Sequence, residues 1–434
     1  MNNLVPDGWE ATDIGELTKT KSLFKDGDWV ESKDQDPFGN NRLIQLADIG
    51  DGRFINKSSR FMNEEQFARL KCTELQKGDI LVARMPEPLG RACIYPLENI
   101  KAATIVDIAI IRTTNADHYW LMSAINSSEF RYNIDLNASG TTRTRIARGA
   151  LAKLKLIAPP LLEQQKIAKI LTSVDEVIEK TQAQIDKLKD LKTGMMQELL
   201  TNGVGHTEFK DSPVGRIPAK WEVVKLDKLI STMDGGVSVN SENKQKAKGQ
   251  FGILKTSSIA KGKFFPSKNK AVLAHEVNRL KTPVLSDHII FSRMNTPALV
   301  GESGYITQNY DDLFLPDRLW QIDVKCRKET NVLWLSYVLA SNKLKAEISE
   351  LATGTSNTMK NISKPKLLSI KIACPEFEEQ VNISKSLKSI DTKLDIISSK
   401  LEKLKGTKKA LMQDLLTGKV RVKTETTNTE VAVG

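Results

Sequence analysis

The feature that most constrains this chain is that its second half restates its first. Val174, Ile178, Thr181, Ile185, Leu188, Lys192, Met195 and Leu199 step by alternating fours and threes. Ile390, Leu394, Ile397, Leu401, Leu404, Lys408, Leu411 and Leu415 repeat those steps 216 positions later. The ends agree as well: Met196-Gln197-Glu198-Leu199-Leu200-Thr201 returns as Met412-Gln413-Asp414-Leu415-Leu416-Thr417. An apolar residue every 3.5 positions keeps one stripe of a helix facing a partner, which is the seam of a coiled coil. One such helix in each half predicts that the two pack on each other. The helices should run about 38 residues, or roughly 57 Å at 1.5 Å per residue. A parallel pair would force the polar connection Thr201 to Arg216 back along a whole helix, nearly fully extended at about 3.3–3.6 Å per residue. The packing is therefore expected to be antiparallel, relating the halves by an approximate twofold axis. Gly194 and Gly406 sit inside these helices at non-equivalent places and should weaken them locally.

The repeat extends into the globular stretches. Val5-Pro6-Asp7-Gly8-Trp9-Glu10 with Leu17 returns as Ile217-Pro218-Ala219-Lys220-Trp221-Glu222 with Leu229. The strand-like run Ile80 to Met85 is answered by Ile289 to Met294, each followed by a proline (Pro88, Pro297) and a glycine (Gly90, Gly301). Asp107 opens another run, Ile108 to Ile111, matched by Asp317 through Ile322. One helix over Trp120 to Arg131 corresponds to one over Trp334 to Glu347. Each half then has a polar loop, Ala138 to Arg143 and Ala352 to Asn357, and a strand, Leu151 to Ala158 and Leu367 to Cys374. Proline stops that strand and is tolerated in a first helical turn, so Pro159-Pro160 and Pro375 mark entry into the long helices.

Charge is informative by its location. The chain carries 64 Lys plus Arg against 53 Asp plus Glu, a net of +11. Glu163 to Leu200 holds six Lys and seven acids, and Glu376 to Leu416 eight Lys and seven acids, so the helices sum to zero. The whole excess lies in the globular parts, which suits a polyanionic partner or simply a basic, solvated surface. Cys72, Cys93, Cys326 and Cys374 form no C-x-x-C pair, so buried, reduced thiols in the cytoplasm are expected. The start of the chain lacks the charge and apolar pattern of a leader, and no apolar run approaches a membrane span.

Motifs for catalysis are missing. There is no G-x-x-x-x-G-K-[ST] and no G-x-G-x-x-G after a strand. Pro316-Asp317 followed by Asp323-Val324-Lys325 has the spelling of a nuclease metal site, which needs converging carboxylates. Both fall in one predicted strand, about 20 Å apart at 3.3 Å per residue, and the other half has Thr113 where Asp323 stands. Candidate contacts to a polyanion are instead basic. Arg84 and Arg293 end the paired strands and could meet phosphate or a base edge, or hold a structural carboxylate. The hydroxyl-rich loops carry Arg143, Arg145 and Arg148, or Lys360, Lys364 and Lys366, suited to phosphate oxygens or to solvent. Lys244, Lys246, Lys248, Lys261 and Lys263 form a basic stretch that the first half does not match.

In the order of these elements the chain resembles the specificity subunit of type I restriction–modification systems. The residues that carry the resemblance are the Trp9-Glu10 and Trp221-Glu222 openings, Gly78 to Arg84, and the Ser139-Gly140-Thr141 and Thr353-Gly354-Thr355 loops. Pro159 to Gln165 with its weaker copy Pro375 to Gln380, and the linker Gly205 to Pro213, complete the set. A departure is that Gly78-Asp79 becomes Asp287-His288. Asp36-Pro37-Phe38 also resembles the Asn/Asp-Pro-Pro-aromatic loop of amino-methyltransferases, but lacks the second proline and any cofactor motif.

The resemblance implies an α+β fold: two similar target-recognition domains separated by two long helices in an antiparallel coiled coil, a pseudo-twofold internal repeat. The domains are expected at 1–160 and 217–375, the spacer helices at 161–200 and 376–416, the linker at 201–216 and a flexible tail at 417–434. Each domain would read one half of a bipartite, asymmetric site in double-stranded DNA. The helices would set the spacing and dock two modification (methyltransferase) subunits, with restriction subunits joining, to direct adenine methylation or restriction. This chain would be no enzyme and bind no cofactor; S-adenosylmethionine, ATP and Mg²⁺ would belong to partner subunits. Arg84, Arg143, Arg145, Arg148, Lys244, Lys246, Arg293, Lys360 and Lys364 are the expected DNA-binding residues. The rival readings are a coiled-coil scaffold with basic domains, and a nuclease using Asp317 and Asp323. A steep salt dependence of DNA binding would separate the first rival, and cleavage by the chain alone would revive the second.

Overall fold

The computed structural model describes residues 5–19, 22–141, 143–356 and 359–423. The chain divides into two compact units, residues 1–183 with 399–434, and residues 184–398. Thr142, Asn357, Thr358 and the last part of the expected tail, 424–434, lie outside the described residues.

In the first unit an antiparallel sheet has the order Leu23–Asp26, Ile108–Arg112, Ile80–Ala83, Ala92–Ile94. In the second unit the order Ile230–Gly235, Leu319–Val324, Ile289–Ser292, Ser303–Tyr305 is the same. A further sheet stands beside each: Phe61–Met62, Asn41–Ile44, Ala102–Thr104 in the first unit, and five strands centred on Gly252–Leu254 in the second. The inner strands Ile80–Ala83 and Ile289–Ser292 are buried at every position. Such uninterrupted apolar runs belong to strands covered on both faces. The strand opening each half, Glu10–Asp13 or Glu222–Lys225, pairs antiparallel with Lys155–Ala158 or Lys371–Cys374.

Local structure corrects three expectations. The helix expected over Trp120 to Arg131 is two, His118–Ile125 and Ser128–Leu136, and its counterpart is Val332–Ala340 and Asn342–Leu351. Ser127 and Ser341 take extended backbone and accept from Phe130 N and Leu344 N, starting a new helix instead of continuing the old one. The stretches expected as strands from Leu151 and Leu367 begin as short helices, Arg148–Ala152 and Lys364–Leu368, before turning into strand. The second polar loop contains strands, Thr353–Ser356 and Met359–Asn361, where the first has, among the described residues, the bridge Ser139 to Arg145. Of the cysteines, Cys93 alone is fully buried; Cys72, Cys326 and Cys374 are half-buried, and all four are free.

The long helices run unbroken over Leu161–Thr201 (41 residues) and Phe377–Leu416 (40 residues), straight through Gly194 and Gly406. Every seam position named above is buried or half-buried. The core of the first unit takes Ile167 and Leu171 from the start of the first helix, and Leu411, Met412, Leu415 and Leu416 from the end of the second. The core of the second unit takes the equivalent residues with the helices exchanged: Ile383, Leu387, Met195, Met196, Leu199 and Leu200. The repeated Met-Gln-(Glu/Asp)-Leu-Leu ending is therefore a packing motif.

The seam lysines also find a reason. Lys408 Nζ lies 2.6 Å from Asp175, which accepts the Tyr119 hydroxyl. Lys192 Nζ lies 2.7 Å from Asp391, whose other oxygen accepts the Tyr337 hydroxyl at 2.8 Å. Each unit thus carries the same Tyr-Asp-Lys cluster, joining both helices to the helix His118–Ile125 or Val332–Ala340. Burial and the neighbouring carboxylate push both tyrosine hydroxyls well above their usual range.

Candidate nucleic-acid interface

The motifs shared by the halves are mostly structural. Trp9 Nε1 donates to Glu163 at 3.0 Å and Trp221 Nε1 to Glu379 at 2.8 Å. Gln164 and Gln380 donate to Pro159 O and Pro375 O and accept from Asp117 N and Asn331 N, tying each long helix to its domain. Arg421 completes the first cluster, bonding both Glu163 oxygens at 2.9 Å and Asp7 O at 2.7 Å. Residues 417–423 are therefore held rather than frayed. In the second unit His206 Nε2 takes the corresponding place, 2.8 Å from Glu379.

Each half ends its inner strand on an arginine within the same backbone frame. Arg84 N donates to Asp107 O at 2.9 Å, and Arg84 O accepts from Ile146 N at 3.2 Å. Arg293 N donates to Arg318 O at 3.1 Å, and Arg293 O accepts from Ile362 N at 3.0 Å. Asp107 therefore answers to Arg318, one residue later than the sequence suggested. Asp26 pairs with Ala109, itself opposite Val82; Gly235 pairs with Trp320, itself opposite Phe291. Positions 26, 84, 107, 145 and 148 thus correspond to 235, 293, 318, 361 and 364.

The side chains in that frame differ. Arg84 is buried, donating to Val106 O at 2.6 Å and Ile146 O at 3.4 Å, with Asp26 at 3.1 Å. Burial lowers its basicity, which Asp26 partly opposes. Arg145 stands 3.4 Å from Asp107, and Arg148 bonds Phe24 O at 3.2 Å with Asp26 at 3.9 Å. In the second unit Arg293 and Lys364 lie over the Trp320 ring, 5.6 and 5.9 Å from its centroid. Phe291 stacks on that ring at 6.0 Å.

The profile of the type I restriction modification DNA specificity domain matches residues 6–190 and again 218–406. The chain belongs to that family. The type I restriction enzyme MjaVIII specificity subunit of Methanocaldococcus jannaschii is 30% identical over 422 residues, 96% of this chain and 94% of that one. The putative MjaX specificity subunit of the same organism is 27% identical over 431 residues, 97% and 95% of the two chains. In fold, the chain resembles the crystal structure of a type I S subunit from M. genitalium, with a TM-score of 0.61 at 16% identity, covering 95% and 98%. A chain from a structure of type I complex assembly and conformational transition gives 0.52 at 17% identity, covering 96% and 100%. The protein is a specificity subunit, the non-catalytic DNA-recognition component of its system.

The remaining expected contacts of this specificity subunit fall into two groups. Arg143 is exposed, and Lys364 is exposed on its aromatic floor. Lys244 is exposed and pairs with Glu242 at 2.5 Å. Lys246 is tied to Asp312, and Lys360 Nζ donates to Ser349 O at 2.9 Å. Arg84 is corrected outright: a buried guanidinium spent on two carbonyls and a carboxylate offers no face to DNA. Arg145 and Arg148 sit at the surface but are shared with Asp107 and Asp26.

The nuclease pattern dissolves. Asp317 accepts from Ser238 Oγ at 2.7 Å, and Asp323 pairs with Arg327 at 2.7 Å and faces His288 at 3.7 Å. Among the described residues no three His, Cys, Asp or Glu side chains gather as a metal site. Sheet register also sets Arg112, not Thr113, opposite Asp323. Arg112 grips Asp79 through two bonds of 2.6 and 2.7 Å, so Asp79-Arg112 and His288-Asp323 occupy the same two positions with the acidic and the nitrogen-bearing side chain exchanged. That exchange explains the departure from Gly78-Asp79 to Asp287-His288. Sequence reasoning missed Arg318 and Trp320; setting the runs Ile108 and Leu319 in register, one step from the Asp-to-Asp match, would have exposed both.

Proposed function

We propose that each globular domain, 1–160 and 217–375, reads one half of a bipartite, asymmetric DNA site, joined by the linker 201–216. The single observation that carries this reading is the duplication itself: two domains of one sheet order whose surfaces diverge while their helices match. The spacer helices, 161–200 and 376–416, form an antiparallel coiled coil that sets the separation and docks two modification subunits. Support for that packing comes from inside each unit, where the start of one helix and the end of the other share a core. S-adenosylmethionine is bound by the modification subunits, and ATP and Mg²⁺ by restriction subunits, so that this chain directs adenine methylation or cleavage in the cytoplasm. Arg143, Lys244, Arg293, Lys360 and Lys364 are the DNA contacts that the exposed or uncompensated charges favour, with Arg145, Arg148 and Lys246 contributing less.

The test is a domain exchange. Residues 217–375 are replaced by those of a relative, the chimera is produced with its modification subunits, and methylated adenines are mapped. One half of the methylated site should change and the other stay. A change in both halves by a folded chimera would overturn the reading. A chain that binds duplex DNA without steep salt dependence would instead be the scaffold rival.

A further inference from the structure

The two domains hold homologous cations by opposite means. In the first, three arginines (84, 145, 148) share their frame with two aspartates, Asp26 and Asp107, and each makes at least one ion pair. In the second, the aspartate positions are Gly235 and Arg318, and Arg145 is replaced by Asn361. Arg293, Arg318 and Lys364 make no ion pair among the described residues. The nearest acid in sequence, Asp317, is held by Ser238 and pairs with none of them. Where the first domain has Val82 and Ala109, the second has Phe291 and Trp320, a stacked aromatic floor.

The difference matters for what remains available. A carboxylate neutralises the guanidinium it positions. An aromatic face positions a cation through the ring's quadrupole and leaves its full charge unspent. Arg318, whose carbonyl accepts from Arg293 N, and Lys364 are exposed, and Arg293 is half-buried. Three unspent cations at one strand end are fitted to a tetrahedral oxyanion.

We propose that Arg293, Arg318 and Lys364, arranged on and beside Trp320, form a seat for a DNA backbone phosphate in the second domain, which the first domain lacks at the same place. This rests on the DNA-binding reading and adds that the two domains contribute unequally to the sequence-independent part of binding. The aromatic floor positions the cations and does not itself touch DNA, since Trp320 is buried.

The experiment is a salt titration of the full chain on a labelled duplex of scrambled sequence, followed by anisotropy. Arg318→Ser and Lys364→Ser should each lower the slope of log affinity on log salt by roughly 0.9, the loss of one phosphate contact. Arg145→Ser and Arg148→Ser, whose charges are shared with Asp107 and Asp26, should each lower it by less than half as much. A gain variant guards against loss through misfolding: Asp107→Arg, which gives the first domain the second domain's charge at that place, should steepen the slope by roughly 0.9. Equal losses from the Arg145 and Arg318 variants would overturn the asymmetry. Unchanged slopes for Arg318→Ser and Lys364→Ser, with the unaltered chain binding DNA, would overturn the seat alone. No binding by the unaltered chain would overturn the DNA reading and this one with it.

Discussion

Replacing Lys192 with Met tests whether the charged cluster under the helices is a structural lock. The substitution keeps the stem that packs at the seam and removes the ammonium. In the folded chain the Lys192 and Asp391 side chains are only 15% and 10% exposed, and their atoms are 2.7 Å apart. Breaking one side of a fully buried ion pair costs about 3–5 kcal/mol. Asp391 would keep the Tyr337 hydroxyl at 2.8 Å and Lys263 at 3.9 Å. The loss should therefore be smaller, about 1.5–3 kcal/mol, including the contact of Lys192 with the Tyr337 ring. Asp391→Asn should cost about 1–2 kcal/mol, because the freed lysine can swing its head to water on its flexible stem. The double variant should be less damaged than the sum of the two by about 1 kcal/mol or more. Hydrogen exchange by mass spectrometry on peptides spanning residues 186–198 and 384–396 reads these as changes in local opening free energy. A fall under about 0.5 kcal/mol for Lys192→Met, or additive singles, would mean that the pair behaves as an ordinary surface contact. The Asp175–Lys408 pair with Tyr119 should respond in the same direction in peptides around residues 170–180.

Three further outcomes are expected. Arg84→Met should lower the thermal midpoint by the equivalent of about 1.5–3 kcal/mol, since two carbonyls lose a donor and Asp26 loses the cation that it pairs with; a salt slope reduced with no stability change would restore Arg84 as a DNA contact. Burial pushes the Glu163 carboxyl up, but the bonds from Arg421 and Trp9 outweigh it and hold it below the usual carboxylate range. Its contribution is full above that range and lost as pH falls through the lowered value, so Arg421→Ala should move the acid transition, followed by near-ultraviolet dichroism, to higher pH; an unmoved transition would refute this. Burial pushes the Cys93 thiol up to about 12, and Cys72 and Cys374 to about 11, so a thiol reagent at pH 8 should label the native chain slowly, and Cys93 last.

The sequence by itself determined the duplication, the period of the long helices, and the family. These signals are local or self-referential: a 3.5-residue step is visible within a few turns, and a repeat needs only the chain compared with itself. It also contained the reason for Met196 to Leu200 and Met412 to Leu416 in plain view, though not the core each would enter. What only the tertiary structure decided is which charges are spent. Arg84 and Arg293 are spelled alike, each after a buried strand and before a proline turn. Yet one meets Asp26 and the carbonyls of residues 106 and 146, and the other meets the face of Trp320. The helix breaks at Ser127 and Ser341 escaped for a milder reason, because serine reads as tolerable inside a helix until its backbone is seen to be extended. A cation's availability depends on the groups that folding brings across the sheet from distant positions. One-residue differences in register, such as Asp107 against Arg318, decide whether that neighbour neutralises the charge or adds to it.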